Sequence, residues 1–188
     1  STNKNNLPLK ILGSNFLKPI NYYEKRGSAQ CKSAVILAAL NTPGKTIINA
    51  KKSRNHTELF LKYLNLPIKI INKKKFDIIE IFGENQFKSF DYEIPGDISS
   101  SAFFIVLTLL TQNSKLKIKN VNVNSSRIGF IKIINKMGAN VKIINKRDVS
   151  GERLADICVK SQKTFKPINC PIELNSNAID EFLIIFLL

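Results

Sequence analysis

The period of the apolar positions changes several times along the chain, and each change marks an element. Ala34-Val35-Ile36-Leu37-Ala38-Ala39-Leu40 is apolar throughout, after a start of Gly27-Ser28-Ala29-Gln30. A glycine and a serine ahead of such a run predict a capped, buried helix from Ser28, ending at the turn signal Asn41-Thr42-Pro43-Gly44. Before it, Leu7, Leu9, Ile11 and Leu12 suit a short strand, and Pro19 to Tyr23 another that leads to Gly27. After it, Lys45 to Ala50 reads as a strand. Ser53 reads as the cap of a second helix with apolar Leu59, Phe60, Leu61 and Leu64, and Ile68 to Ile70 and Ile78 to Phe82 as two strands.

The same order then repeats. Asp97 opens a helix that runs to Leu110, Lys115 to Val123 is strand-like, Ser126-Arg127 starts a helix ending at Met137-Gly138, and strands follow near Val141–Ile144 and Ala155–Val159. Ser28 and Ser101, Arg54 and Arg127, and Asn65 and Gly138 are each 73 positions apart. Asn65 and Gly138 both tolerate the left-handed conformation that ends helices. The pattern therefore predicts two copies of a β-α-β-α-β-β unit, plus the first helix of a third near Ile179. The fold class is α/β (α+β). Tyr92-Glu93-Ile94-Pro95-Gly96-Asp97 lies between the copies and reads either as a boundary with a hinge or as a simple loop before a helix.

The helix start at Ser28 admits two readings. The first N–H groups of a helix lack partners within it, so with the Ser28 hydroxyl and the Gln30 amide they can hold a small phosphorylated ligand. The other reading is an ordinary capped core helix. A formal charge of +15, from 29 Lys+Arg against 14 Asp+Glu, suits anionic partners. The lysines are scattered, the longest run being Lys73-Lys74-Lys75, and no aromatic–basic interleaving points to nucleic acid. Abundant Asn, Ile and Lys are also what an AT-rich coding sequence produces.

Cys31, Cys158 and Cys170 form no CxxC pair, and the single histidine, His56, leaves no zinc set. Free thiols in a reducing compartment are the simplest account. No stretch reaches the roughly 18 apolar residues that span a bilayer. The polar start at Ser1 and the uncapped apolar end at Phe186-Leu187-Leu188 read as a fragment of a longer chain.

Six motifs occur in order: Ser28-Ala29-Gln30-Cys31-Lys32-Ser33-Ala34, Leu40-Asn41-Thr42-Pro43-Gly44, Ser53-Arg54-Asn55-His56-Thr57-Glu58, Pro95-Gly96-Asp97-Ile98-Ser99-Ser100, Met137-Gly138-Ala139 and Ile179-Asp180-Glu181-Phe182. Together the sequence resembles the 5-enolpyruvylshikimate-3-phosphate synthase (3-phosphoshikimate 1-carboxyvinyltransferase) family, in the bacterial branch known for glyphosate-tolerant members. The resemblance runs over nearly the whole chain and covers a middle part of the family's length. It implies the enolpyruvyl transferase (inside-out barrel) fold, in which each of two domains holds three such units. Residues 1–94 would then be the last unit of one domain, and residues 95–188 the first unit and the start of the next in the other.

The activity implied is transfer of the enolpyruvyl group of phosphoenolpyruvate to the 5-hydroxyl of shikimate 3-phosphate, releasing phosphate, on the way to chorismate and the aromatic amino acids. No metal and no organic cofactor is implied. By the same resemblance Ser28, Ala29, Gln30, Arg54 and Asp180 bind shikimate 3-phosphate, Gln30 also touches phosphoenolpyruvate, and Asp180 is the base for the attacking hydroxyl. Ser53 is a weaker candidate. His56 is assigned a hydrogen-bonding or helix-start role, Arg127 a structural one, and Glu181 that of an acidic residue in a helix's first turn.

The family's Lys-Ser-x-x-x-Arg signature, its glycine loop and its Lys-Glu-Ser-Asp-Arg-type segment fall outside these residues, so the 188 residues alone are expected to lack transferase activity. A monomeric, cytoplasmic protein with neither nucleic-acid nor membrane partners is implied. The sister transferase acting on UDP-N-acetylglucosamine, which lacks the Ser-Ala-Gln and Arg-x-His-Thr-Glu combination, is the alternative enzyme. A non-catalytic anion-binding module on the same repeat is the alternative from another class.

Overall fold

The computed structural model describes residues 10–83 and 87–188. Strands β1 (Asn21–Glu24), β2 (Lys45–Lys51), β3 (Ile68–Asn72) and β4 (Phe76–Phe82) form one sheet in the order β1-β2-β4-β3, with β1 parallel to β2 and the other pairs antiparallel. Helices α1 (Ala29–Leu40) and α2 (His56–Tyr63) cover it. The alternation along β2 turns Thr46, Ile48 and Ala50 inward, where Thr46 lies opposite Ile81 and Ile48 opposite Ile79. With Ile36, Leu40 and Leu61 from the helices these residues form the first core.

The second unit repeats this order with α3 (Ile98–Leu110), β5 (Lys115–Asn122), α4 (Gly129–Lys136), β6 (Asn140–Val149) and β7 (Glu152–Lys160). Its sheet runs β5-β7-β6, and its core gathers Ile98, Ile105, Phe130, Ile134 and Ile157. The place of β1 shrinks to one parallel bridge between Gly96 and Val121. The 73-residue register survives for the second helix of each unit, whereas the first helices are capped by Ser28 and Asp97, 69 positions apart, so that Ser101 lies inside α3 and is not the counterpart of Ser28. Helix α2 begins at His56 and α4 at Gly129, they end at Tyr63 and Lys136, and the following Asn65 (φ 55°) and Gly138 (φ 99°) are both left-handed.

Four expectations need correction. Ile11 and Leu12 are exposed and belong to no strand, while Leu7 and Leu9 lie outside the described residues. Ser53 is not a cap: the chain runs on after β2 to Asn55, the N-cap position of α2. Helix α4 starts two residues after Arg127, because the Asn124 carboxamide accepts the Ser126 N–H and hydroxyl at 2.9 and 2.8 Å and so forms a turn first. The predicted third helix is short: a 3₁₀ turn (Ile179–Glu181) leads into α6 (Phe182–Ile185), after an unanticipated α5 (Ile172–Asn175).

Strands β6 and β7 are also longer than their apolar cores suggested. They meet in a two-residue turn at Ser150 (φ 50°) and Gly151 (φ 82°), both left-handed as a tight hairpin demands. Both partners of β7 shift register at a left-handed asparagine, Asn120 in β5 and Asn145 in β6. The Asp156 carboxylate ties the two irregularities together, accepting the Asn145 amide at 3.0 Å and the Asn120 N–H at 3.2 Å. The Asn145 bond and the Lys117 ammonium hold its pKa down to about 2.

Helix α3 is apolar nearly all round, and it leaves Phe103, Phe104 and Leu107 exposed at 66%, 61% and 63%. A helix of this composition ordinarily has neighbours on every side. The purified 188-residue chain is therefore expected to enhance ANS fluorescence and to self-associate, and Phe103→Ser/Leu107→Ser is expected to reduce both effects. An unchanged ANS signal in that variant would show the patch lies elsewhere.

Candidate active site

The site begins at the loop between β1 and α1. The buried Glu24 carboxylate accepts the N–H groups of Arg26 (2.9 Å) and Gly27 (2.7 Å), and Gly27 takes φ 81°, open to glycine at little cost. This clasp delivers Ser28 to the N-cap of α1, where its hydroxyl accepts the Cys31 N–H at 3.2 Å. The N–H groups of Ala29 and Gln30 donate to nothing among the described residues. They form the positive end of a helix, a natural seat for an anion.

Arg54 reaches the same place from the segment between β2 and α2. The Lys32 ammonium donates to its carbonyl at 2.8 Å and pairs with Glu58 at 2.6 Å, and the Ser33 and Thr57 hydroxyls bond at 2.7 Å. The starts of α1 and α2 are thereby fixed side by side.

The third contributor comes from far along the chain. Asp180, in the 3₁₀ turn, accepts a hydrogen bond from the Arg54 guanidinium, 126 residues away in sequence. The Arg127 guanidinium lies 3.8 Å from the same carboxylate and is itself held by Asp97 (3.1 Å) and by the Ser99 hydroxyl (2.6 Å). Ser99 in turn donates to the buried Glu181. Burial works against the charge on Asp97, but the Ser100 N–H and hydroxyl, with Arg127, outweigh it and hold the carboxyl below its ordinary value. The turn bearing Asp180 also packs closely on α4, since a Cβ on Gly129 would sit 2.6 Å from the Asn177 carbonyl carbon.

All five residues singled out from the sequence, Ser28, Ala29, Gln30, Arg54 and Asp180, line one cleft of about 310 Å³. Ser53 lines it too, and its buried hydroxyl has no partner among the described residues. Glu181 lies in the first turn of the 3₁₀ helix, as expected, and is in addition buried and hydrogen-bonded to Ser99. Arg127 touches Asp180 as well as supporting its own unit. Sequence reasoning did not single out Lys32, whose position in the helix looks ordinary until its partner Glu58 is seen.

His56 joins the two units rather than entering the cleft. Its Nδ1 lies 2.5 Å from the Glu152 carboxylate, and the Asn124 amide bridges Glu152 (3.3 Å) and Asn55 (2.9 Å). Burial alone would raise the Glu152 pKa, yet the His56 hydrogen bond and charge outweigh it and hold the carboxyl below its ordinary value. Among the described residues no three His, Cys, Asp or Glu side chains gather as a metal site, and the three cysteines are free. The donors of the cleft, two guanidinium groups and a helix start, suit phosphate and carboxylate groups.

Comparisons with known proteins agree with this chemistry. The profile described as EPSP synthase (3-phosphoshikimate 1-carboxyvinyltransferase) matches residues 1–188. A 3-phosphoshikimate 1-carboxyvinyltransferase of Ruthia magnifica is 42% identical over 187 residues, covering 99% of this chain and 42% of that protein. One from Petrotoga mobilis is 40% identical over 179 residues, covering 95% and 40%. The chain thus spans about two fifths of the length of these relatives.

Among solved structures, EPSP synthase from Acinetobacter baumannii superposes with a TM-score of 0.82 at 34% identity, covering 94% of this chain and 40% of that one. The enolpyruvyl transferase NikO from Streptomyces tendae, at 14% identity and a TM-score of 0.61 over 82% of this chain and 37% of its own, shares the fold alone. With the repeat, the motifs and the full-length profile in agreement, this chain belongs to the EPSP synthase (3-phosphoshikimate 1-carboxyvinyltransferase) family.

Proposed function

We propose that this chain supplies the shikimate 3-phosphate grip of a 3-phosphoshikimate 1-carboxyvinyltransferase. The observation that carries the reading is the convergence, in one cleft, of a helix start with free N–H groups, the Arg54 guanidinium and the Asp180 carboxylate. The phosphate sits on the Ser28 hydroxyl and the Ala29 N–H, with Arg54 bonding it through its planar fork. The Gln30 amide, exposed at the cleft wall, reaches both shikimate 3-phosphate and phosphoenolpyruvate.

Asp180 holds the ring hydroxyls and takes the proton of the 5-hydroxyl as that oxygen attacks C2 of phosphoenolpyruvate. The methylene carbon gains a proton, and the ketal phosphate so formed loses a proton from the resulting methyl group as it expels phosphate, leaving the enolpyruvyl ether. Residues 1–94 belong to one domain and residues 95–188 to the other, so that closure of the two brings Arg54 and Asp180 onto the same ligand. The groups that complete the phosphoenolpyruvate site are not in this segment, and the 188 residues by themselves are expected to turn over no substrate. The reading carries with it a cytoplasmic, monomeric protein that binds neither nucleic acid nor membrane. No helix among the described residues is long and apolar enough to cross a membrane.

The reading is tested by calorimetric titration of shikimate 3-phosphate into the product of the complete reading frame that carries this segment. Specific capture is expected to weaken little with added salt, whereas binding of a generic polyanion through scattered lysines falls steeply. Binding no tighter than that of inorganic phosphate would overturn it.

A further inference from the structure

The Lys32–Glu58 pair is unusual, because both side chains are almost fully enclosed, at 2% and 4% exposure, in the core between α1 and α2. Burying an ion pair is costly, and apolar residues of similar volume often serve stability as well or better. The chain contains an uncharged version of the pair itself. Lys32 stands four residues after the Ser28 cap of α1 and Ser101 four residues after the Asp97 cap of α3, while Glu58 stands 73 positions before Ile131; Ser101 and Ile131 are buried, at 6% and 3% exposure. The same two fold positions thus hold an ion pair in one unit and no charge in the other. The second unit is built without charges there.

What the charged version adds is a donor. Lys32 Nζ reaches the Arg54 carbonyl at 2.8 Å and fixes the backbone of the residue whose guanidinium meets Asp180. In the second unit the Ser101 hydroxyl donates to the Asp97 carbonyl at 2.8 Å instead, and Arg127 is held through its own guanidinium by Asp97 and Ser99. Among the described residues the Arg54 guanidinium has no such support from its own unit: its side chain is 30% exposed against 14% for Arg127, and the partner it finds is Asp180. Its placement rests on its backbone.

We propose that Lys32 and Glu58 are a buried positioning pair for Arg54. Lys32 is the donor that sets the Arg54 backbone, and Glu58 is the counter-charge that makes an enclosed ammonium tolerable. Neither touches the ligand. The inference rests on the shikimate 3-phosphate reading above and names residues that determine how well that site holds its phosphate.

The test removes both charges from the first unit, as Lys32→Ile/Glu58→Ile in the product of the complete reading frame. The double variant is expected to stay folded, with its melting temperature close to the parent's, while its affinity for shikimate 3-phosphate falls about tenfold or more. In an Arg54→Ala background the same double substitution is expected to change that affinity less than about twofold, since the group it positions is gone. A general loosening of the fold would not produce this non-additivity.

Parent-like affinity in the double variant, or an effect that adds in full to Arg54→Ala, would overturn the proposal. So would unfolding of both this variant and Lys32→Met/Glu58→Leu, which would make the charges a requirement of the fold. If the parent itself fails to bind shikimate 3-phosphate, the functional reading fails instead, which separates the two outcomes.

Discussion

Replacing Asp180 by asparagine in the product of the complete reading frame is expected to lower kcat by about 10²- to 10⁴-fold, the range of a lost general base. The KM for either substrate is expected to move far less. Asparagine keeps the shape of the side chain and can still accept a hydrogen bond from Arg54, so the 3₁₀ turn at Ile179–Glu181 has no reason to rearrange. It cannot take up the proton of an attacking hydroxyl. The position favours such a role: the Asp180 side chain is 47% exposed to the cleft, while its neighbour Glu181 is buried against Ser99 and held away from it. Asp180→Asn turnover within a few-fold of the parent would remove Asp180 from the chemistry and leave it a binding residue.

The second large effect is expected at Arg54. Arg54→Ala should weaken shikimate 3-phosphate about 10- to 100-fold, the cost of losing charge-assisted hydrogen bonds to a phosphate. Arg54→Lys should recover only part of this, because an ammonium cannot offer the planar fork. In the structure Arg54 is bonded to Asp180, so a phosphate entering the cleft competes with a carboxylate for the same guanidinium. Arg127, 3.8 Å from Asp180 and anchored by Asp97 and Ser99, remains to hold that carboxylate when Arg54 turns to the ligand. The Arg54 and Asp180 substitutions are therefore expected to be non-additive when combined. Equal affinity of parent and Arg54→Ala for shikimate 3-phosphate would contradict the assignment.

Much of the fold was legible because the local signals are strong and occur twice. The Ser28 cap, the left-handed stops at Asn65 and Gly138 and the 73-residue register of the second helices all rest on residues whose conformational preferences act locally. The errors fall where another contact, tertiary or local, overrides those preferences. Ser53 has the chemistry of a cap, but the chain runs on past the end of β2 at Lys51 until the Arg54 carbonyl meets the Lys32 ammonium. Ser126 is captured by Asn124 before a helix can begin.

In the site, Ser28 to Gln30 could be read from a helix start alone. Arg54 and Asp180 needed the family resemblance, since periodicity carries no sign that residues 126 apart will meet. Lys32 could not be singled out at all: an interior lysine near a helix start is unremarkable until the packing of α1 on α2 encloses it. His56 was read as a hydrogen-bonding residue, and its partner Glu152, 96 residues on, becomes visible only when the β6–β7 hairpin docks on α2.

The most direct test of the functional reading is phosphate release from phosphoenolpyruvate by the product of the complete reading frame carrying residues 1–188. Shikimate 3-phosphate and UDP-N-acetylglucosamine would be offered as alternative acceptors. One phosphate released per phosphoenolpyruvate consumed, with shikimate 3-phosphate alone, is the expected result. No release with shikimate 3-phosphate, or release that depends on UDP-N-acetylglucosamine, would contradict it.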